Sequence, residues 1–193
     1  MTCWKENQWE PGLAEMEGVI LETSRLILRE WTDADLPDLS EMLQDPRVMY
    51  AYDHDFTTED VQGWMARQQR RYRELEFGLG AVILRDTGEI IGQAGLTMQP
   101  FQESQVLEVG YHLKYRHWHQ GYAAEAAAGC RRYAFETLKA PRLHAIIKAD
   151  NQASIRVAKG LGMNRLAAFM TQYYGGKFFI ICMESTIPLC EAV

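Results

Sequence analysis

The sequence predicts an α/β fold (in the α+β sense) in which a mixed, mostly antiparallel sheet of about seven strands is flanked by about four helices. Three observations carry that expectation. Short runs of strand character, such as Ile90 to Met98 and Val106 to Leu113, are separated by turn signals. Other stretches place apolar residues three or four apart, as Val61, Trp64 and Met65 do. Past Val106 the two kinds of segment alternate as strand, helix, strand, helix, which is where neighbouring strands can run parallel or splay apart.

Residues 1 to about 19, with Trp4, Trp9, Pro11 and Gly12, hold no sustained period and read as an irregular arm, leaving 20–193 as a single domain. Alternation at Leu26 and Leu28 makes the first strand. Thr32 and Asp33 then open a helix that carries Leu36, Leu39, Met42 and Leu43 on one face and stops at Asp45-Pro46. Thr57-Thr58-Glu59-Asp60 opens a second helix, with Val61, Trp64, Met65 and Gln68 at helical spacing as far as Glu74. Strands follow at Gly80 to Leu84, Ile90 to Met98 and Val106 to Leu113, the first two joined by Asp86-Thr87-Gly88-Glu89 as a hairpin turn. Tyr122 to Leu138 reads as a helix whose inner face, Ala123, Ala127, Cys130, Ala134 and Leu138, is small enough to press closely on the sheet, and Pro141 ends it. Leu143 to Ala149 is a strand, and Ser154 to Leu161 is a helix closed by Gly162 in a left-handed turn. Arg165 to Thr171 and Phe178 to Ile187 complete the sheet, linked through Tyr174-Gly175-Gly176-Lys177.

At 193 residues, 47% of them hydrophobic, the chain can bury one full core and needs no second domain. Cys3, Cys130, Cys182 and Cys190 fall at no metal-like or disulfide-framework spacing, which points to a reducing cytoplasm and away from redox chemistry. The N-terminal stretch carries Glu6, Glu10, Glu15 and Glu17 with no continuous apolar run for a signal peptide, and no window reaches the roughly 18 apolar residues of a membrane span. Net charge is −6, and the basic residues are scattered except for Arg67-Gln68-Gln69-Arg70-Arg71-Tyr72-Arg73. That run sits in a helical pattern and reads as a solvated face rather than a nucleic-acid surface. An acidic body suits a cationic amine substrate without identifying it.

The most informative stretch runs from Glu108-Val109-Gly110-Tyr111-His112-Leu113 to Trp118-His119-Gln120-Gly121-Tyr122-Ala123-Ala124-Glu125-Ala126. A glycine where strand gives way to helix leaves backbone N–H groups pointing together at the positive end of the helix dipole, a ready site for phosphate. A larger side chain at Gly121 or Ala123 would stand between that backbone and a pyrophosphate. About 30 residues further on comes Asn151-Gln152-Ala153-Ser154-Ile155-Arg156-Val157-Ala158-Lys159-Gly160-Leu161-Gly162-Met163, with Asn151 placed to cap the helix that follows.

Together these two segments resemble the coenzyme A site of the GCN5-related N-acetyltransferase (GNAT) family, most closely the branch of ribosomal-protein N-terminal alanine acetyltransferases. The lead-in Ser24-Arg25-Leu26-Ile27-Leu28-Arg29-Glu30-Trp31, with Asp33, Ala34 and Asp35, is similar to the family's opening strand and helix start, so the resemblance covers Leu21 to Ile187. It implies a sheet splayed at the cofactor site, and acetyl-CoA held by Tyr111, Leu113 and the turn Trp118, His119, Gln120, Gly121, Tyr122 and Ala123. It also implies that Asn151 reaches the pantetheine arm and that Ser154 lies near the sulfur, as a candidate proton donor to the departing thiolate. His119 departs from the small residue usual in the family, which leaves open whether its side chain meets phosphate or solvent. Gly160 departs from the charged residue more usual there and weakens its helix by roughly 1 kcal/mol against alanine.

Alternation puts Leu107, Val109, Tyr111 and Leu113 on one face of their strand and Glu108, Gly110 and His112 on the other. A glutamate in mid-strand is not fully solvated. Glu108 is therefore either an ion-pair partner of a nearby arginine or a general base, since a protonated amine cannot attack until a proton leaves. The resemblance favours the base, because a glutamate two residues before a Gly-Tyr pair often serves so in this branch. His112, His117 and His119 form no regular metal-ligand spacing, and Cys130 lies on an apolar helix stripe rather than beside an activating base. The expected activity is direct transfer of acetyl from acetyl-CoA to a primary amine, a protein N-terminus being favoured, with no metal and with backbone N–H groups of Glu108 to Leu113 polarising the carbonyl. A small-molecule acceptor (polyamine, amino acid or antibiotic) and a non-catalytic acyl-CoA-binding sensor are the alternatives, and a homodimer stays open.

Overall fold

The computed structural model of the chain describes residues 16–173 and 176–186. Residues 1–15 of the arm expected over 1 to about 19, the tip Tyr174-Gly175 of the last hairpin, Ile187 at the expected end of the last strand, Cys3 and Cys190 lie outside the described residues. Strands β1 (Val19–Glu22), β2 (Leu26–Arg29), β3 (Leu79–Leu84), β4 (Ile90–Phe101), β5 (Ser104–Leu113), β6 (Arg142–Lys148), β7 (Asn164–Tyr173) and β8 (Gly176–Thr186) form one sheet in the order β1-β2-β3-β4-β5-β6-β8-β7. Every neighbouring pair is antiparallel except β5 with β6. The helices are α1 (Leu36–Leu43), α2 (Pro46–Met49), α3 (Thr58–Leu75), α4 (Tyr122–Arg132) and α5 (Gln152–Gly160).

Mixed, mostly antiparallel topology is what the sequence predicts, with one strand and one helix more. Four-residue β1 is too short for its alternation to register, and its two middle residues are only half-buried at the sheet edge. Pro46 does stop α1, but its fixed φ also starts a new turn, which Asp45 caps by accepting the Arg47 N–H at 2.9 Å. In α3 the opening threonine and aspartate satisfy each other's backbone: Asp60 N–H donates to Thr57 Oγ1 at 3.2 Å and Thr57 N–H donates to Asp60 Oδ2 at 2.9 Å. The long helix expected to Leu138 is α4 only as far as Arg132; Tyr133 to Thr137 widen into a π-helical turn, with Leu138 N–H reaching back to the Tyr133 carbonyl.

The period of two along each strand divides the core between the two faces of the sheet. On one face Leu26, Leu28, Val82, Val109 and Leu113 pack under α4 and α5. On the other Ile27, Ala81 and Ile83 pack with Leu39, Met42, Val61, Trp64 and Met65 of α1 and α3. The N-terminal helices and the C-terminal helices thus cover opposite sides of β5, and any group on β5 faces one set or the other.

Candidate active site

Strands β5 and β6 are paired at one position only, Glu108 opposite His144. Beyond Glu108 the two strands diverge, and a cavity of about 770 Å³ opens in the gap. It reaches both faces of the sheet. Its walls come from β5 (Glu108 to Leu113), α3 (Trp64, Arg67, Arg71), the turn before α4, α5 (Ser154, Arg156, Val157), and Phe169 and Thr171 of β7. Of the residues expected to bind cofactor, Tyr111, Leu113, Trp118, His119, Gly121, Tyr122, Ala123, Asn151 and Ser154 all line it. Gln120 does not; its carbonyl accepts from Arg25 Nη1 at 3.2 Å.

The turn into α4 is built from alternating backbone hands. His119 (φ 62°) and Gly121 (φ 82°) are both left-handed and flank Gln120, a concave arrangement of N–H groups that suits an anion. Gly121 is the N-cap of α4 and supplies no side chain, so the first N–H groups of the helix are not covered from within. A Cβ at Gly121 would sit 3.4 Å from Arg25 Nη2 at a φ that L residues rarely adopt. His119 occupies such a φ without glycine's freedom, and its side chain is exposed.

Sequence reasoning gave no role to the group that holds this turn. Glu125, in the first turn of α4, accepts hydrogen bonds from Thr23 Oγ1 (2.7 Å), Ser24 Oγ (3.0 Å), and the Arg25 N–H (2.8 Å) and Nε (2.6 Å). Partial burial would raise its pKa, but these donors outweigh that and hold it down to about 2. An acidic residue four places after a helix-opening glycine, with Thr-Ser-Arg elsewhere in the chain, was the available signal.

Asn151 caps α5 as its type predicts, its Oδ1 accepting the Ser154 N–H at 3.0 Å. Tyr111 crosses the gap and donates its hydroxyl to the Ser154 carbonyl at 3.1 Å, tying β5 to α5 across the cavity. The gap is therefore bridged at two levels, by Tyr111 above and by Glu108 at its root.

Among the described residues Glu108 has no ion-pair partner within 4.0 Å. Its Oε2 accepts from Thr97 Oγ1 at 3.0 Å and its Oε1 from the Ile146 N–H of β6 at 3.3 Å. Burial pushes its carboxyl up to about 7, because those two hydrogen bonds and the more distant charge of Arg71 only partly offset the lost hydration. Among the described residues it is the one carboxylate lining the cavity.

Four residues along β5 and on the same face, half-buried His112 heads a chain of hydrogen bonds. Trp64 Nε1–H, which can only donate, meets Gln93 Oε1 at 3.1 Å, so Gln93 Nε2–H donates to His112 Nδ1 at 3.0 Å. Neutral His112 then carries its proton on Nε2 and donates it to Tyr52 Oη at 3.3 Å. Burial presses its pKa down to about 4, keeping it neutral. The other two histidines reach the cavity wall without joining this chain: His117 meets Glu89 at 3.1 Å, and His119 is exposed. Burial pushes the Cys130 thiol up to about 12 and the Cys182 thiol up to about 11, so neither supplies a thiolate at neutral pH.

The family model described as an acetyltransferase (GNAT) domain matches residues 25–164. The chain belongs to the GNAT acetyltransferase family. It is 37% identical over 147 residues to the uncharacterized protein YkkB of Bacillus subtilis, covering 75% of this chain and 84% of that one. A crystal structure of an acetyltransferase from Agrobacterium tumefaciens superposes with a TM-score of 0.75 at 25% identity, covering 95% of this chain and 100% of the other. The fold is also that of RimL, a ribosomal L7/L12 α-N-protein acetyltransferase solved in complex with coenzyme A, at a TM-score of 0.71, 16% identity and coverage of 88% and 98%. This GNAT enzyme is accordingly an acyltransferase with N-acetyltransferase activity, of a family that uses acetyl-CoA and an amine acceptor.

Proposed function

We propose that this GNAT enzyme acetylates a primary α-amine, a protein N-terminus being the favoured acceptor, with Glu108 as the general base. The observation that carries the reading is Glu108 itself: the cavity's one described carboxylate, at the root of the strand gap, with its pKa pushed up to about 7. A base works best when its pKa lies near the operating pH, and an α-amine with a pKa near 8 is easier to deprotonate than a lysine near 10.4. Hydrogen bonds from Thr97 and the Ile146 N–H fix the carboxylate while leaving it lone pairs for an amine proton or an intervening water.

In this reading the turn from Trp118 to Ala123 receives the pyrophosphate of acetyl-CoA, and Asn151, whose capping bond uses only its oxygen, offers its amide N–H to the pantetheine arm. Backbone N–H groups of β5 beyond Glu108, released from β6 by the divergence, polarise the acetyl carbonyl and stabilise the oxyanion. The amine nitrogen bonds to the carbonyl carbon, Glu108 takes its proton, the carbon–sulfur bond breaks, and Ser154 protonates the departing thiolate. The direct test is thiol release from acetyl-CoA against a panel of peptides with free alanine or serine starts, spermidine and free amino acids. Peptide acetylation at the α-amine is the expected result; acetylation confined to the small molecules would leave the chemistry standing and overturn the peptide acceptor, and release with no amine dependence would overturn the transfer reading.

A further inference from the structure

The basic run of α3 does not form a uniformly solvated face. Arg70 points outward and pairs with Glu74 at 3.9 Å, and Arg73 is exposed, but Arg67 and Arg71 line the cavity on the same face as Glu108. Among the described residues neither has a carboxylate within 4.0 Å. Arg71 is half-buried and donates from Nη1 to Gln68 Oε1 at 3.3 Å, an oxygen that also accepts the Leu79 N–H at 3.1 Å. Arg67 lies with its guanidinium carbon 5.4 Å from the centre of the Trp64 ring. Two like charges at i and i+4 repel on a helix, and burial together with the Arg67 charge lowers the Arg71 pKa. The chain thus lines a concave site with two guanidiniums where, among the described residues, Glu108 is the one carboxylate, acting on Arg71 through its charge without forming an ion pair with either arginine.

The phosphates of acetyl-CoA do not account for them. The turn at Gly121 and helix α4 lie on the opposite face of the sheet from α3, and Arg67 and Arg71 share their side with Glu108 and Trp64. A base that takes a proton from an amine, in a cavity also lined by two guanidiniums, is complementary to a molecule that carries an amine and an anion together. Planar guanidinium forks fit a carboxylate in particular.

We infer that Arg67 and Arg71 form the anion half of the acceptor site, so that the acceptor of this GNAT enzyme is an amine bearing a carboxylate, supplied either by a free amino acid or by an acidic side chain near a peptide start. The inference rests on the transfer reading above and narrows its acceptor. The test compares matched acceptors by thiol release: Ala-Glu against Ala-Gln peptides amidated at the C-terminus, and free glutamate against its diamide. For whichever source is used, the carboxylate form should exceed its amide by about 10- to 100-fold in kcat/KM, as the loss of a charge-assisted pair predicts. Arg71→Gln and Arg67→Gln should each bring that ratio toward one, while acetyl-CoA still raises the melting temperature of the variants as it does for the native chain. The native comparison needs no variant, and Arg67 is exposed with no hydrogen bond among the described residues, so misfolding of Arg71→Gln leaves the test intact. A ratio near one in the native enzyme, or arginine variants that lose acetyl-CoA binding and keep the acid preference, would overturn the anion site alone. Absence of thiol release with every amine would overturn the transfer reading as well.

Discussion

Glu108 has the opposing demands of a half-buried base. Its hydration is lost to the protein around it, which raises the pKa to about 7, while Thr97, Ile146 and the charge of Arg71 keep the ionised form accessible. Activity that needs the carboxylate should therefore fall as pH drops below about 7, and His112, neutral down to about 4, adds nothing to that limb. Glu108→Gln is expected to lower turnover by about 10²–10⁴ and to remove the limb, with acetyl-CoA affinity little changed. The same shift has a stability consequence of known sign. A carboxyl whose folded pKa lies above its unfolded value stabilises the native state fully below the unfolded pKa of about 4.3 and loses that contribution as pH rises through about 7. The melting temperature of Glu108→Gln should accordingly gain on the native protein between pH 5 and pH 8, measured by thermal denaturation; parallel curves would mean that the carboxyl is not desolvated. The face on which Glu108 sits was legible from alternation alone. Its partners were not, because Thr97 and Ile146 come from strands that only the fold brings beside it.

At the scale of elements, each helix that contributes to the site is fixed by its first turn. Thr57 and Asp60 start α3, Asn151 starts α5, and the left-handed Gly121 starts α4 with its N–H groups open. These starts were readable from sequence, since capping depends on residue types a few places apart. The clasp on α4 was not: Glu125 is tied to Thr23, Ser24 and Arg25, about 100 residues away in the chain. Glu125 does not line the cavity, so its effect on cofactor passes through the turn it holds. Glu125→Gln should weaken acetyl-CoA binding and raise KM for acetyl-CoA, with kcat at saturation nearly retained; a fall in kcat with KM unchanged would contradict a positioning role. The basic run on α3 was placed on a helix correctly and assigned to solvent too uniformly. A helical period says which residues share a face, and only the divergence of β5 from β6 shows that one of those faces meets a cavity.

For the whole molecule, the sheet order and the single β5–β6 pairing place N-terminal helices on one side of the gap and C-terminal helices on the other. The resemblance of the two motif segments to the GNAT family made that gap foreseeable, whereas β1 and α2 were too short to leave a periodic trace. Acetyl-CoA at about 100 times its dissociation constant should stabilise the fold by roughly 2.7 kcal/mol. Gly121→Glu, which puts a side chain and a negative charge into the cradle, should lose that gain in a thermal-shift measurement. One continuous cavity reaches from this cradle past Glu108 to Arg67, and neither described cysteine is ionised at neutral pH, an arrangement that suits the proposed direct transfer with both substrates bound together. Initial velocities measured over a matrix of acetyl-CoA and acceptor concentrations test this most directly. Direct transfer predicts double-reciprocal lines that intersect; parallel lines, with an acetylated protein seen by intact mass before any amine is added, would contradict it.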